Sequence, residues 1–141
     1  MSTLTAHFDL PLDGAAPGWA RSAVTAVLGG WGLRDRAWLD DAAVVISELV
    51  TNAVRHGGGE VVVSVEAYGS QVIISVADGS SVVPRPREPD GTGGLGLRII
   101  EKLTDRWYVE PYEGGKRVRA ELPLCPGSPV TAEGTSRTEP A

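Results

Sequence analysis

Glu48, Asn52 and His56 recur at every fourth position of the run Ser47-Glu48-Leu49-Val50-Thr51-Asn52-Ala53-Val54-Arg55-His56-Gly57. On a helix this spacing stacks an acid, an amide and an imidazole in one row, with a rise of about 6 Å per step. Val45, Ile46, Leu49, Val50 and Ala53 gather on the neighbouring face, so the polar row follows the margin of an apolar core. A carboxamide oxygen there is a hard, neutral ligand suited to Mg²⁺, which keeps several waters and bridges substrate phosphates. A carboxylate one turn earlier can take the proton from a hydroxyl or water attacking a terminal phosphate. His56 has two readings. It helps to order such a site, or it ends the helix, where an imidazolium complements the dipole. Taken alone, the row also fits a solvated helix edge.

Two further segments carry chemistry. Asp78-Gly79-Ser80-Ser81 directly follows a Val/Ile-rich run. A carboxylate at a strand end can accept a hydrogen bond from the exocyclic amine of adenine, and a glycine beside it lets a flat ring approach the backbone. The same letters also make an ordinary Asp-Gly turn. Gly91-Thr92-Gly93-Gly94-Leu95-Gly96-Leu97 leads into a helix. Free N–H groups at a helix start attract anions, and glycines let the backbone wrap a phosphate chain. A long polar loop precedes these glycines, unlike the dinucleotide pattern, and no Lys-Ser or Lys-Thr follows them, unlike a P-loop. A flexible hinge is the plainer alternative.

The elements that must position these groups follow from periodicity. Thr3 to Leu10 alternates as an edge strand, ended by Pro11 and Asp13-Gly14. A helix is expected from about Gly18 to Leu28, with Trp19, Ala23, Val24, Val27 and Leu28 at helical spacing, and Gly29-Gly30 stops it. A second helix spans about Asp35 to His56. Glu60 to Tyr68 and Gln71 to Ala77 form a hairpin around Gly69-Ser70. The stretch from Asp78 to Gly94 is a long loop, a kind that is usually functional or mobile. A third helix follows from about Leu95 to Leu103. Trp107 to Pro111 and Val118 to Leu122 are two more strands, joined through Glu113-Gly114-Gly115. After Pro126 the composition turns to Gly, Ser, Pro, Thr and Glu, so residues 1–124 form the expected domain and 125–141 a disordered tail. The order implies an α+β sandwich with helices on one face of a mixed sheet.

Bulk properties exclude several function classes. A net charge of −5 opposes a general affinity for nucleic acid. The four tryptophans, Trp19, Trp31, Trp38 and Trp107, have no basic stripe among them and read as packing groups rather than a platform for bases. One cysteine, Cys125, excludes an internal disulfide and fits a reducing compartment. With His7 and His56 as the only histidines, a His-rich zinc site is not expected. No apolar stretch approaches the roughly 20 residues that span a bilayer, and no secretory signal is visible, so a cytoplasmic location is expected.

Together, Glu48-x-x-x-Asn52, the strand-end Asp78, the lid-like loop and the glycine-rich helix start resemble the GHKL (Bergerat-fold) ATPases. The phrases from Ser47 to His56 and Asp105-Arg106-Trp107 look like the small anti-sigma factor serine/threonine kinases of actinobacterial type. The resemblance covers roughly Thr3 to Pro123. It implies a two-layer α/β sandwich, with a mixed, mostly antiparallel sheet and three helices on one face. It implies ATP and Mg²⁺ as cofactors, Glu48 as the general base and Asn52 as the magnesium ligand. Asp78, with Gly79, would bind adenine. Gly91, Thr92, Gly93, Gly94, Leu95 and Gly96 would face the phosphates, with His56 at the site's edge. The implied partners are an anti-sigma factor antagonist (a STAS-like protein) carrying the accepting serine, and a sigma factor. Such relatives often dimerise, which puts a homodimer among the expectations. Two positions depart from the pattern. Ser80 and Ser81 follow Gly79 where the superfamily carries Asp-x-Gly-x-Gly. Arg117 stands where relatives often have a threonine, one residue before the final strand's Val. These departures motivate a second reading, a non-catalytic ATP-binding module that recognises partners.

Overall fold

The structure, a computed structural model, describes residues 3–11, 13–56, 59–69, 71–80 and 96–127. Its elements run β1 (Thr3–Leu10), α1 (Ala16–Gly30), α2 (Arg36–His56), β2 (Val61–Tyr68), β3 (Gln71–Asp78), α3 (Gly96–Leu103), β4 (Arg106–Tyr112) and β5 (Gly115–Glu121). The strands form one sheet in the order β1-β2-β3-β5-β4. Among the described residues every neighbouring pair is antiparallel, so no parallel strand is seen there in the sheet that the sequence suggests is mixed. Among the described residues, three helices and a five-stranded antiparallel sheet make an α+β sandwich.

The core lies between the two layers. Val24 and Leu28 of α1 and Ile46 and Val50 of α2 are fully buried, as are Val63, Val65 and Ile74 of β2 and β3. Burial of such side chains contributes about 1.5–3 kcal/mol each. Alternation fixes what each face of the sheet carries. Val72, Ile74 and Val76 of β3 and Val118 and Ala120 of β5 point into this core. Asp78 and Lys116 continue those two inward series, so they stand on the helix side at adjoining strand ends, where the register pairs them.

Local chemistry sets the ends of the elements. The Asp35 carboxylate accepts from the Trp38 N–H at 2.9 Å and starts α2. Indole Nε1 of Trp38 donates to the Pro123 carbonyl at 2.7 Å, which ties the segment after β5 to α2. Cys125 is buried in the core, one residue past the expected end of the domain. Glu113 and Gly114 adopt φ of 46° and 83° in the tight turn between β4 and β5. Positive φ at both central residues suits the twist of a two-residue hairpin. That turn fixes the register that delivers Lys116.

Trp19 departs from the expected packing role. It is 64% exposed, because α1 buries the stripe Ala16, Ala20, Val24 and Leu28. At about 100° per residue, Trp19 lies well to the side of that stripe.

Candidate functional site

α2 packs against both β3 and α3, so its polar row reaches two site segments. Glu48 is half-buried. Its carboxylate lies so close to Gly96 that a Cβ there would sit 2.6 Å from Oε1. A side chain at 96 would have to turn the flexible tip of Glu48 away from the start of α3. Among the described residues, no side-chain hydrogen bond or ion pair engages Glu48.

Asn52 is one turn further along α2 and half-buried. Its Nδ2 is buried without a hydrogen-bond partner among the described residues. A buried amide nitrogen left unmatched costs about 1–3 kcal/mol. Among the described residues, no hydrogen bond therefore holds the Nδ2 end of the carboxamide. The described residues hold no cluster of three or more His, Cys, Asp or Glu that would bind a metal alone. A hard, neutral oxygen that completes its shell with water and phosphate fits Mg²⁺ better than a closed protein cage does.

Asp78 closes β3, and the Ser80 N–H donates to its Oδ1 at 2.8 Å. Lys116 Nζ donates to Oδ1 at 2.9 Å and to Oδ2 at 3.0 Å. Both side chains are shielded, with 7% of Lys116 and 1% of Asp78 exposed. Gly79 lies beneath the start of β5. A Cβ on Gly115 would fall 2.0 Å from the Asp78 carbonyl oxygen and 2.7 Å from the Gly79 Cα. Glycine at 115 is what allows β5 to approach closely enough for Lys116 to reach the carboxylate.

A family model for the histidine kinase-like ATPase domain matches residues 11–122. The chain belongs to that family. A histidine kinase-like ATPase domain binds ATP. The chain is also similar to a protein of Pasteuria penetrans named Anti-sigma F factor, with 38% identity over 92 residues. That match covers 54% of this chain and 61% of the relative, so the chain spans less than two thirds of its length. Among solved structures it resembles the RsbU and RsbW domains of Rv1364c from Mycobacterium tuberculosis, with a TM-score of 0.64 and 25% identity. There the match covers 86% of this chain and 32% of the other.

Within this ATPase domain, the sequence-predicted groups fall into two clusters. Glu48 meets Gly96, while Asp78 and Gly79 meet the start of β5. Gly91, Thr92, Gly93, Gly94, Leu95 and Ser81 lie outside the described residues, as does the side chain of His56. Arg117 is not on the Asp78 side. It bonds Glu110 and lies over the Tyr112 ring, 4.3 Å from its centroid, on the sheet face away from the helices. The residue that meets Asp78 is Lys116, which sequence reasoning missed. The signal was present: counting back by two from the inward Val118 gives 116, whereas 117 must face outward.

No described helix is long and apolar enough to cross a membrane.

Proposed function

We propose that this domain is an ATP-dependent serine/threonine kinase of the anti-sigma type. The terminal phosphoryl group of ATP passes to a serine hydroxyl on an anti-sigma factor antagonist, and in its other state the domain binds a sigma factor. The observation that carries this reading is Glu48, a carboxylate with no side-chain partner among the described residues, set against the glycine that opens α3. A free carboxylate is the group a hydroxyl nucleophile needs. The likeness to a protein named Anti-sigma F factor supports the same assignment.

In this reading Glu48 takes the serine proton while the hydroxyl oxygen bonds to the terminal phosphorus. The bond from that phosphorus to the bridging oxygen breaks, and ADP leaves. Asp78 accepts from the adenine amine, and Gly79 gives the ring room. The start of α3, with Gly96, faces the phosphates; Gly91, Thr92, Gly93, Gly94 and Leu95, outside the described residues, are assigned the same role by the resemblance. Asn52 would hold Mg²⁺, which supplies positive charge beside the phosphates. A cytoplasmic location and a homodimer accompany this reading.

The test is ATP binding by calorimetry with and without Mg²⁺, followed by transfer of labelled phosphate to candidate antagonists. Magnesium-dependent binding that Asn52→Ala loses is expected. Glu48→Ala should bind nucleotide yet transfer at least about a hundredfold more slowly. Full transfer by Glu48→Ala would remove its assigned role. Intact ATP binding with no transfer by the wild-type chain would favour the partner-recognition module instead.

A further inference from the structure

The Lys116–Asp78 pair has more hydrogen-bonding capacity than it uses. An ammonium has three protons. Two of those on Lys116 meet Asp78 Oδ1 and Oδ2, at 2.9 and 3.0 Å. The third faces the Ser80 carbonyl at 3.4 Å, a long contact that is easily exchanged. On the acid, Oδ1 already accepts two bonds, from Lys116 and from the Ser80 N–H. Oδ2 accepts one, from Lys116, and a carboxylate oxygen has room for two. Among the described residues, one open acceptor position therefore sits beside one weakly held donor.

The pyrimidine edge of adenine carries the complement, the N6 amine as donor next to N1 as acceptor. We infer that Lys116 reads adenine directly, donating to N1 while Asp78 Oδ2 accepts from N6. This rests on the ATP-binding reading of the site and adds a specificity-determining residue to it. The two protein groups are nearly dry, so each hydrogen bond made to them meets little competition from water. The pair must act as a unit. Asp78 alone distinguishes only the amine, whereas Asp78 with Lys116 distinguishes the amine and the ring nitrogen together. A base with a 6-oxo group and a protonated N1 presents the reversed order, so it is rejected at both positions.

The test uses the full chain with ATP, with 1-deaza-ATP, in which N1 is a C–H, and with the variants Lys116→Met and Lys116→Arg. Removing one hydrogen bond to a charged donor is expected to weaken wild-type binding of 1-deaza-ATP by roughly tenfold or more relative to ATP. Lys116→Met should bind the two nucleotides alike, and Lys116→Arg, which keeps a donor, should recover part of the preference. Equal wild-type affinity for both nucleotides would overturn the inference, and that result is readable even if Lys116→Met does not fold. An unchanged preference in Lys116→Met would overturn it too, leaving Lys116 as a structural partner of Asp78 alone. Tighter ATP binding by Lys116→Met would also do so, because Lys116 would then be competing with the base. If the wild-type chain binds no ATP, the nucleotide reading of the whole site fails with it, which is a different result from ATP binding without an N1 preference.

Discussion

β5 carries charge on both faces, and the two faces treat it differently. Lys116 points to the helix side and meets Asp78 with almost no water in reach. Arg117 and Arg119, along the same strand, point the other way. Arg119 donates to Glu66 at 2.7 Å and to the Tyr108 hydroxyl at 3.1 Å, while Arg117 bonds Glu110. Arg106 adds a pair with Glu121 at 3.1 Å, and its own side chain is 65% exposed. On the outer face the Arg106 and Arg117 pairs are partly solvated, while Arg119 is buried. Among the described residues, the inner face of β5 carries one dry pair, Lys116 with Asp78. The Arg117 and Arg106 pairs share their charges with water, so each contributes little, whereas Arg119 is itself buried and stands between these and the inner pair. Among the described residues the inner pair has only itself and the Ser80 backbone, so loss of one member leaves the other charge uncompensated.

That contrast is broken most strongly at Lys116. Lys116→Ala should destabilise the fold by about 3–5 kcal/mol in chemical denaturation, the usual result of removing one partner of a buried pair. A loss below about 1 kcal/mol would put the inner pair in the same class as the outer ones. Gly115→Ala tests the close approach that makes the pair possible. A methyl 2.0 Å from the Asp78 carbonyl must push β5 aside, and about 1–3 kcal/mol of stability should go with it. Gly114→Ala is no control for this, since its φ of 83° adds backbone strain; Gly29→Ala, with open space around its Cβ and an ordinary helical φ, serves instead.

The outer face should respond in smaller steps. Arg119→Ala removes hydrogen bonds to two partners from a side chain only 10% exposed, and about 1–2 kcal/mol is expected. Arg117→Ala should cost less than about 1 kcal/mol, and salt should erase much of it. Equal losses at 117 and 119 would mean that burial does not rank these pairs.

The smallest effect is a pH dependence centred on Glu66. Burial pushes its carboxyl up, but the Tyr68 hydrogen bond and the Arg119 guanidinium outweigh that and hold it below its ordinary value of 4.5. The unfolded chain then takes up this proton before the folded one does. Glu66 therefore contributes stability above its ordinary value, and that stability is lost as pH falls through the lower folded value. Glu66→Gln should flatten this part of the acid limb of a stability profile, and an unchanged limb would show that Glu66 does not shape it. The same hydrogen bond pushes the Tyr68 phenol up, so its contribution is held below the usual tyrosine range and lost as pH rises through the raised value.

Much of the fold was legible where one physical rule dominates. α2 was expected from Asp35 to His56 and runs Arg36–His56, because apolar residues at helical spacing and the terminal glycines agree. β2 and β3 alternate or run apolar and were placed within a residue. β5 was expected only from Val118 and begins at Gly115. Lys116, Arg117 and Arg119 hide the alternation, since a buried pair and an exposed one look the same as letters. Trp19 misled for the opposite reason. A large apolar residue near a helical stripe suggests packing, yet the angular position of the stripe is set by α2 and the sheet.

The sequence by itself determined the order of the elements, the polar row on α2 and the family to which the chain is similar. These depend on local periodicity and short spacings, which the chain carries wherever it folds. Alternation from Val118 puts Lys116 rather than Arg117 on the inward face, but the tertiary structure alone decided that Glu48 stands against Gly96 and that Lys116 meets Asp78. Those contacts join residues about 40 positions apart or more, across a helix pair and a strand register. A single step in that register would exchange the inward and outward charges of β5, and only the folded sheet fixes it.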